Sequence, residues 1–157
     1  MATLTVKIIE SCTLNGIDQG GTYSGFSNAN ITQIMKKNIK CAAGTELTLY
    51  QAADATATTG TGAAWFDEDS VKYVRITNLA GTSAYVYITI KNTDSDEAVF
   101  KLYGTESFLL HRHAASFEAI ASNGASQTSV SHIDLVTVKA VSSAQAIELF
   151  IASTDAA

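Results

Sequence analysis

An all-β fold, a sandwich or barrel, follows from two features of the sequence. Short runs of alternating apolar residues, enriched in β-branched and aromatic side chains, recur from end to end, with the period of half-buried strands. Clusters of Gly, Asn, Asp and Ser separate them, and because the chain has no Pro, every turn must use that chemistry. At 157 residues the chain has room for one hydrophobic core, so residues 1–157 are read as a single β domain.

The elements follow in order. Thr3 to Ile9 reads as a strand. Asn15-Gly16 is the best local hairpin signal, since both residues tolerate positive φ, and Gly20-Gly21 marks a turn. Ile31 to Cys41 admits two periods. A helix would group Ile31, Ile34 and Met35; a strand, the favoured reading, would set Ile31, Met35, Ile39 and Cys41 against Lys36, Asn38 and Lys40. Glu46 to Gln51 is the next strand. Residues 52–64 then carry almost no bulky side chain, which predicts a low-complexity loop between an N-terminal and a longer C-terminal portion.

Val71 to Leu79 places Val74 and Ile76 on one face and Tyr73, Arg75 and Thr77 on the other. A turn at Ala80-Gly81-Thr82-Ser83 leads into Ala84 to Ile90, where Val86, Ile88 and Ile90 alternate with Tyr85, Tyr87 and Thr89. Glu97 to Tyr103, Ser107 to Arg112, His132 to Lys139 and Ala146 to Ala152 complete the set.

Charged residues make up 16% of the chain, against roughly 25% in typical soluble domains. The surface must therefore be rich in Ser, Thr, Asn, Gln and Ala, and such a surface is poorly defended against association. A net charge of -5 without any Lys/Arg cluster argues against nucleic-acid and membrane partners. No apolar segment approaches the ~20 residues that cross a bilayer, and no leader pattern is visible, so a chain made in a cytoplasm and kept there or released by lysis is expected. Cys12 and Cys41 lack C-x-x-C spacing and read as two buried free thiols. The acceptor pattern Asn30-Ile31-Thr32 carries little meaning in that context.

Patterns that could carry chemistry are weak. His111 and His113 would share a strand face, with His132 as a distant third metal ligand, but no Cys or carboxylate stands at ligand spacing and Arg112 adds positive charge, so a polar strand end fits better. Asn92, Asp94 and Asp96 mimic the opening of a calcium loop. Glu97 and Tyr103 then occupy the places that need Gly and Glu, which favours a solvated hairpin tip. Asp67-Glu68-Asp69 reads as a solvated turn, no G-x-S-x-G occurs, and no cofactor is implied. The expectation is a chain that is not an enzyme; an enzyme built on His111, His113 or His132 is the opposing hypothesis.

The most informative residues are aromatic. If the runs at 71–79, 84–90 and 97–103 were neighbouring strands, Tyr73, Tyr85, Tyr87 and Tyr103 would share one face, with Arg75 and Lys101 among them, opposite Val74, Ile76, Val86, Ile88, Phe100 and Leu102. Tyrosines mixed with basic residues suit protein interfaces and some glycan-binding surfaces. Cross-strand pairing on an ordinary solvated face, or burial beneath a second sheet, would use the same residues differently.

The stretch Val71-Lys72-Tyr73-Val74-Arg75-Ile76-Thr77-Asn78-Leu79 resembles a strand of small virion structural proteins of tailed bacteriophages, of the head decoration or cement type. Phe100 to Leu110, Ser116-Phe117-Glu118-Ala119-Ile120 and Glu148-Leu149-Phe150-Ile151-Ala152-Ser153 are similar to later hairpins and the closing strand of that group. The resemblance covers about the C-terminal half and rests on strand and turn patterns. It implies a single-domain β-sandwich of jelly-roll character in the virion, made in the bacterial host cytoplasm. Its partners would be the major capsid protein or other virion proteins, which it would bridge as a homo-oligomer, a trimer by preference, since shells present local three-fold points. A tail or adaptor component that binds a host glycan or another tail protein is the alternative.

Overall fold

The computed structural model of the chain describes residues 2–23, 25, 27–53, 66–67, 70–92, 96–111, 116–117 and 131–154. The first strands are β1 (Ala2–Thr5), β2 (Ile8–Glu10), β3 (Thr13–Leu14), β4 (Ile17–Asp18), β5 (Gly21–Tyr23) and β6 (Ser27–Ile31). They pair as nested antiparallel couples, β1 with β6, β2 with β5 and β3 with β4, which makes one long hairpin arm. The arm closes at Asn15-Gly16, whose φ values of 52 and 77 are those a two-residue type I′ turn demands. Thr3 to Ile9 is thus two strands instead of one. The break falls at Val6-Lys7, where Gly25 (φ 65) crowds the Val6 carbonyl so closely that a Cβ would have no room.

The body follows as β7 (Gln33–Cys41), β8 (Glu46–Ala53), β9 (Phe66–Asp67), β10 (Val71–Asn78), β11 (Tyr85–Asn92), β12 (Glu97–Tyr103), β13 (Ser107–His111), β14 (Ser116–Phe117), β15 (Ser131–Ala140) and β16 (Gln145–Ser153). One sheet runs β13-β10-β16-β7; the other runs β12-β11-β15-β8-β9, with β14 beside β15. The eight long strands are shared four to each sheet, and the chain crosses between sheets at most connections. That is the double Greek-key order of a jelly roll. The all-β expectation therefore holds, including its jelly-roll character.

Alternation fills the space between the sheets. Val74, Ile76, Val86, Ile88, Ile90, Val136, Val138, Ile147, Leu149 and Ile151 are all buried in one core cluster, as strands with one inward face require. A smaller cluster lies on the outer side of the first sheet, where Ile31, Tyr73 and Ala152 are covered by Leu4, Val6 and Phe150. The arm's root provides Leu4 and Val6, and β16 provides Phe150.

The segment read as a strand over Ile31–Cys41 is strand, interrupted once. Thr32 donates its N–H to Ser153 O at 3.0 Å, and the interruption sends Ile31 to the outer cluster while Met35, Ile39 and Cys41 face the main core. Cys12 corrects the expectation of two buried thiols. It sits exposed on the arm, whereas Cys41 is buried, and both are free. Most of the predicted 52–64 loop, from residue 54 onward, lies outside the described residues; Ala52 and Ala53 end β8.

Candidate interaction surface

The second sheet displays the aromatic residues on its outer face. In the register of β11 with β12, Tyr85 stands opposite Tyr103 and Tyr87 opposite Lys101, while Val86 and Ile88 stand opposite Leu102 and Phe100. Directly opposed residues share a face. The three tyrosines and Lys101 therefore look outward, away from Val86, Ile88 and Leu102 in the core. Tyr85 meets Tyr87 and Tyr103 edge-on, with centroids 5.6 and 5.9 Å apart. Lys101 Nζ lies over both hairpin partners, 3.9 Å from the Tyr85 ring centroid and 4.5 Å from that of Tyr103, a double cation–π arrangement.

A hydrogen bond to Tyr103 raises the Lys101 pKa above its ordinary value, opposed by partial desolvation and aided by the neighbouring tyrosines. The ammonium therefore stays charged at any physiological pH. Tyr87 remains 37% exposed and Tyr103 41%, so the cluster is ordered yet open. The row continues across β15 and β8 as Lys139 and Glu46, opposite Tyr87 and one another. Thr137, hydrogen-bonded to Glu46, lies beside them. Such a face offers apolar ring surface, hydroxyls and ammonium groups in fixed positions.

Tyr73 and Arg75 do not join it. Sequence reasoning placed them beside Tyr85 by treating β10 and β11 as neighbours, but these strands belong to opposite sheets. The short connection after Asn78 carries the chain over the end of the sandwich. Tyr73 is 7% exposed, packs edge-on to Phe150 at 5.9 Å, and has its pKa raised by burial, with Arg75 pulling it back. Arg75 spans the first sheet's outer face, paired with Glu148, which also binds Lys36 at 3.1 Å. Tyr73 and Arg75 line a groove of about 310 Å³ with Leu4, Val6, Lys7, Lys36 and Phe150.

Phe100 was expected in the core and is 42% exposed. It does face inward, but β12 ends its sheet, so the ring closes the open side of the sandwich against Phe108, 4.9 Å away on β13. Asn92 and Asp96 cap their own hairpin, with Asp96 N–H donating to Asn92 Oδ1 at 2.7 Å and Asn92 Nδ2 to Asp96 Oδ2 at 3.2 Å. Asp94 lies outside the described residues, as do Arg112 and His113. His111 and His132 lie on strands of different sheets, β13 and β15. No group of three His, Cys, Asp or Glu side chains converges among the described residues. Sequence reasoning missed the arm as a surface, although Ile8, Ile9, Leu14 and Ile17 around Asn15-Gly16 were its signal.

No family profile and no curated protein matches the chain. Among solved structures it is similar to a subunit of Bacillus endospore appendages, described as a novel family of disulfide-linked pili, at 16% identity over 82% of this chain and 96% of that one, with a TM-score of 0.39. It is also similar to Pseudomonas aeruginosa AlgX at 10% identity, over 81% of this chain and 26% of that one, again with a TM-score of 0.39. At such TM-scores neither protein's role transfers to this chain.

Proposed function

We propose that the chain is a non-enzymatic virion structural protein, a decoration or cement subunit that binds and stabilises neighbouring shell subunits. The observation that carries this reading is the tyrosine–lysine face: Lys101 held over Tyr85 and Tyr103, with Tyr87 beside them, on a sheet whose other side is core. Rigid tyrosines lose little entropy on contact and act as anchors in interfaces. The sparse charge of the chain and the resemblance of its strand motifs to those of phage decoration proteins support the same reading. The copies are proposed to act as a closed oligomer, a trimer, seated on the shell.

The test is quantitative mass spectrometry of purified phage particles whose genome encodes the chain. Stoichiometric presence is expected, and absence or enzyme-like traces would refute the reading. In the same preparation, Tyr85→Ser with Tyr87→Ser should weaken particle binding at least about tenfold, in line with loss of a tyrosine anchor. The fold should persist because Val86, Ile88 and Ile90 point the other way. A tail-specific location in particle images, together with loss of host-glycan binding by the double variant, would favour the tail or adaptor role.

A further inference from the structure

We propose that the arm, residues 8–23, docks along the outer edge of β7 in a second copy of this chain, extending that copy's first sheet. The inference is independent of the tyrosine–lysine face and of which particle the chain serves. Within the arm Ile9 is 75% exposed, Tyr23 66%, Leu14 and Ile17 62% each and Ile8 42%. Five large apolar side chains on a two-stranded ribbon cannot be buried by the ribbon itself, and such ribbons are marginal in water on their own. Yet this arm is shaped: its turn has type I′ φ values, Gly20 and Gly25 fit where a Cβ would strike the Glu10 and Val6 carbonyls, and Asp18 Oδ1 accepts from Gly20 N–H at 2.8 Å.

The receiving surface is identified by edge and charge. Among the described residues β7 ends the first sheet, and an end strand offers backbone donors and acceptors to an incoming strand. Besides Lys36, which pairs with Glu148 of β16, it carries Lys37 and Lys40 and no acidic residue, and Ile34 is 57% exposed on it. Residues 8–23 carry Glu10 and Asp18 and no basic residue. The arm joins the body at Thr32, immediately before β7; its distal strands β2 to β5 pair with one another and not with β7, and their exposed side chains are available to the edge of another copy. Contact of one surface with a different surface is head-to-tail, and it closes into a ring where the rotation allows, such as the trimer proposed above.

Sedimentation of the full chain over a concentration series, with reductant present so that Cys12 forms no cross-link, should show self-association. Ile9→Ser with Ile17→Ser disables the arm, and Lys37→Glu with Lys40→Glu disables the edge. Each should weaken association at least about tenfold. Mixed, the two variants should recover a one-to-one pair that grows no further, because one intact arm meets one intact edge. Hydrogen exchange of the wild-type chain should slow over residues 33–41 as association proceeds. A chain monomeric throughout, disabled variants that assemble as wild type, or protection confined to β11 and β12 would each overturn the proposal. That last result would leave the tyrosine–lysine reading standing.

Discussion

Asn78→Ala should destabilise the fold far more than its one small side chain suggests. Asn78 is fully buried at the end of β10, where the chain leaves the first sheet for the second. Its Nδ2 donates to Leu102 O at 3.2 Å, and its Oδ1 accepts from Ala80 N–H at 3.1 Å. Its own backbone receives Thr105 N–H at 2.8 Å and donates to Glu106 O at 3.0 Å, so those two bonds survive the substitution. The side-chain pair does not. Leu102 O keeps its ladder position opposite Val86, so losing the amide's bond to it costs about 0.5–1.5 kcal/mol, and the turn bond to Ala80, which water partly replaces, adds about 0.5–1 kcal/mol. At about 2–4 °C per kcal/mol for a chain of this size, the melting temperature should fall by about 2–10 °C in calorimetry. Asn78→Asp keeps the acceptor for Ala80 but sets a carboxylate against the Leu102 carbonyl, so it should be no better than Ala. A shift of less than about 2 °C for Asn78→Ala, or a near-native Asn78→Asp, would refute the view that this amide clamps the sheet crossing.

Two further expectations concern stability. Lys36, chiefly, and then Arg75 hold the Glu148 carboxyl below its ordinary pKa of 4.5; a depressed folded-state pKa adds stability above the unfolded value that is lost as pH falls through the folded one. Glu148→Gln should therefore flatten the acid limb of the stability curve below about pH 4.5, and an unchanged limb in urea titrations at several pH values would contradict it. Gly104 is the other case. A Cβ there would fall on the Gly81 and Ala80 carbonyls, backbone atoms fixed by Ala84 N–H to Gly81 O at 3.0 Å and Gly104 N–H to Ala84 O at 2.7 Å. Gly104→Ala should cost about 1–3 kcal/mol by overpacking, measurable as a lower urea midpoint with unchanged slope.

Local pattern determined much of this protein. Glu97–Tyr103 forms the strand its alternation predicts, the faces of β10 and β11 follow their two-residue period, and Asn15-Gly16 makes its turn because both residues accept positive φ. The inward set Val74, Ile76, Val86, Ile88 and Ile90 is buried as written. Tertiary structure decided which strands lie side by side. A period of two says which side chains share a face of one strand, and nothing about its neighbour. Tyr73 and Arg75 obey the same alternation as Tyr85 and Tyr87, yet the crossing after Asn78 puts them on the opposite side of the sandwich, where the arm's root buries Tyr73. The arm's exposed isoleucines show the same limit: residue type does not say that Ile9 and Ile17 are exposed, and only the pairing of β2 with β5 and β3 with β4, outside the two main sheets, leaves them so.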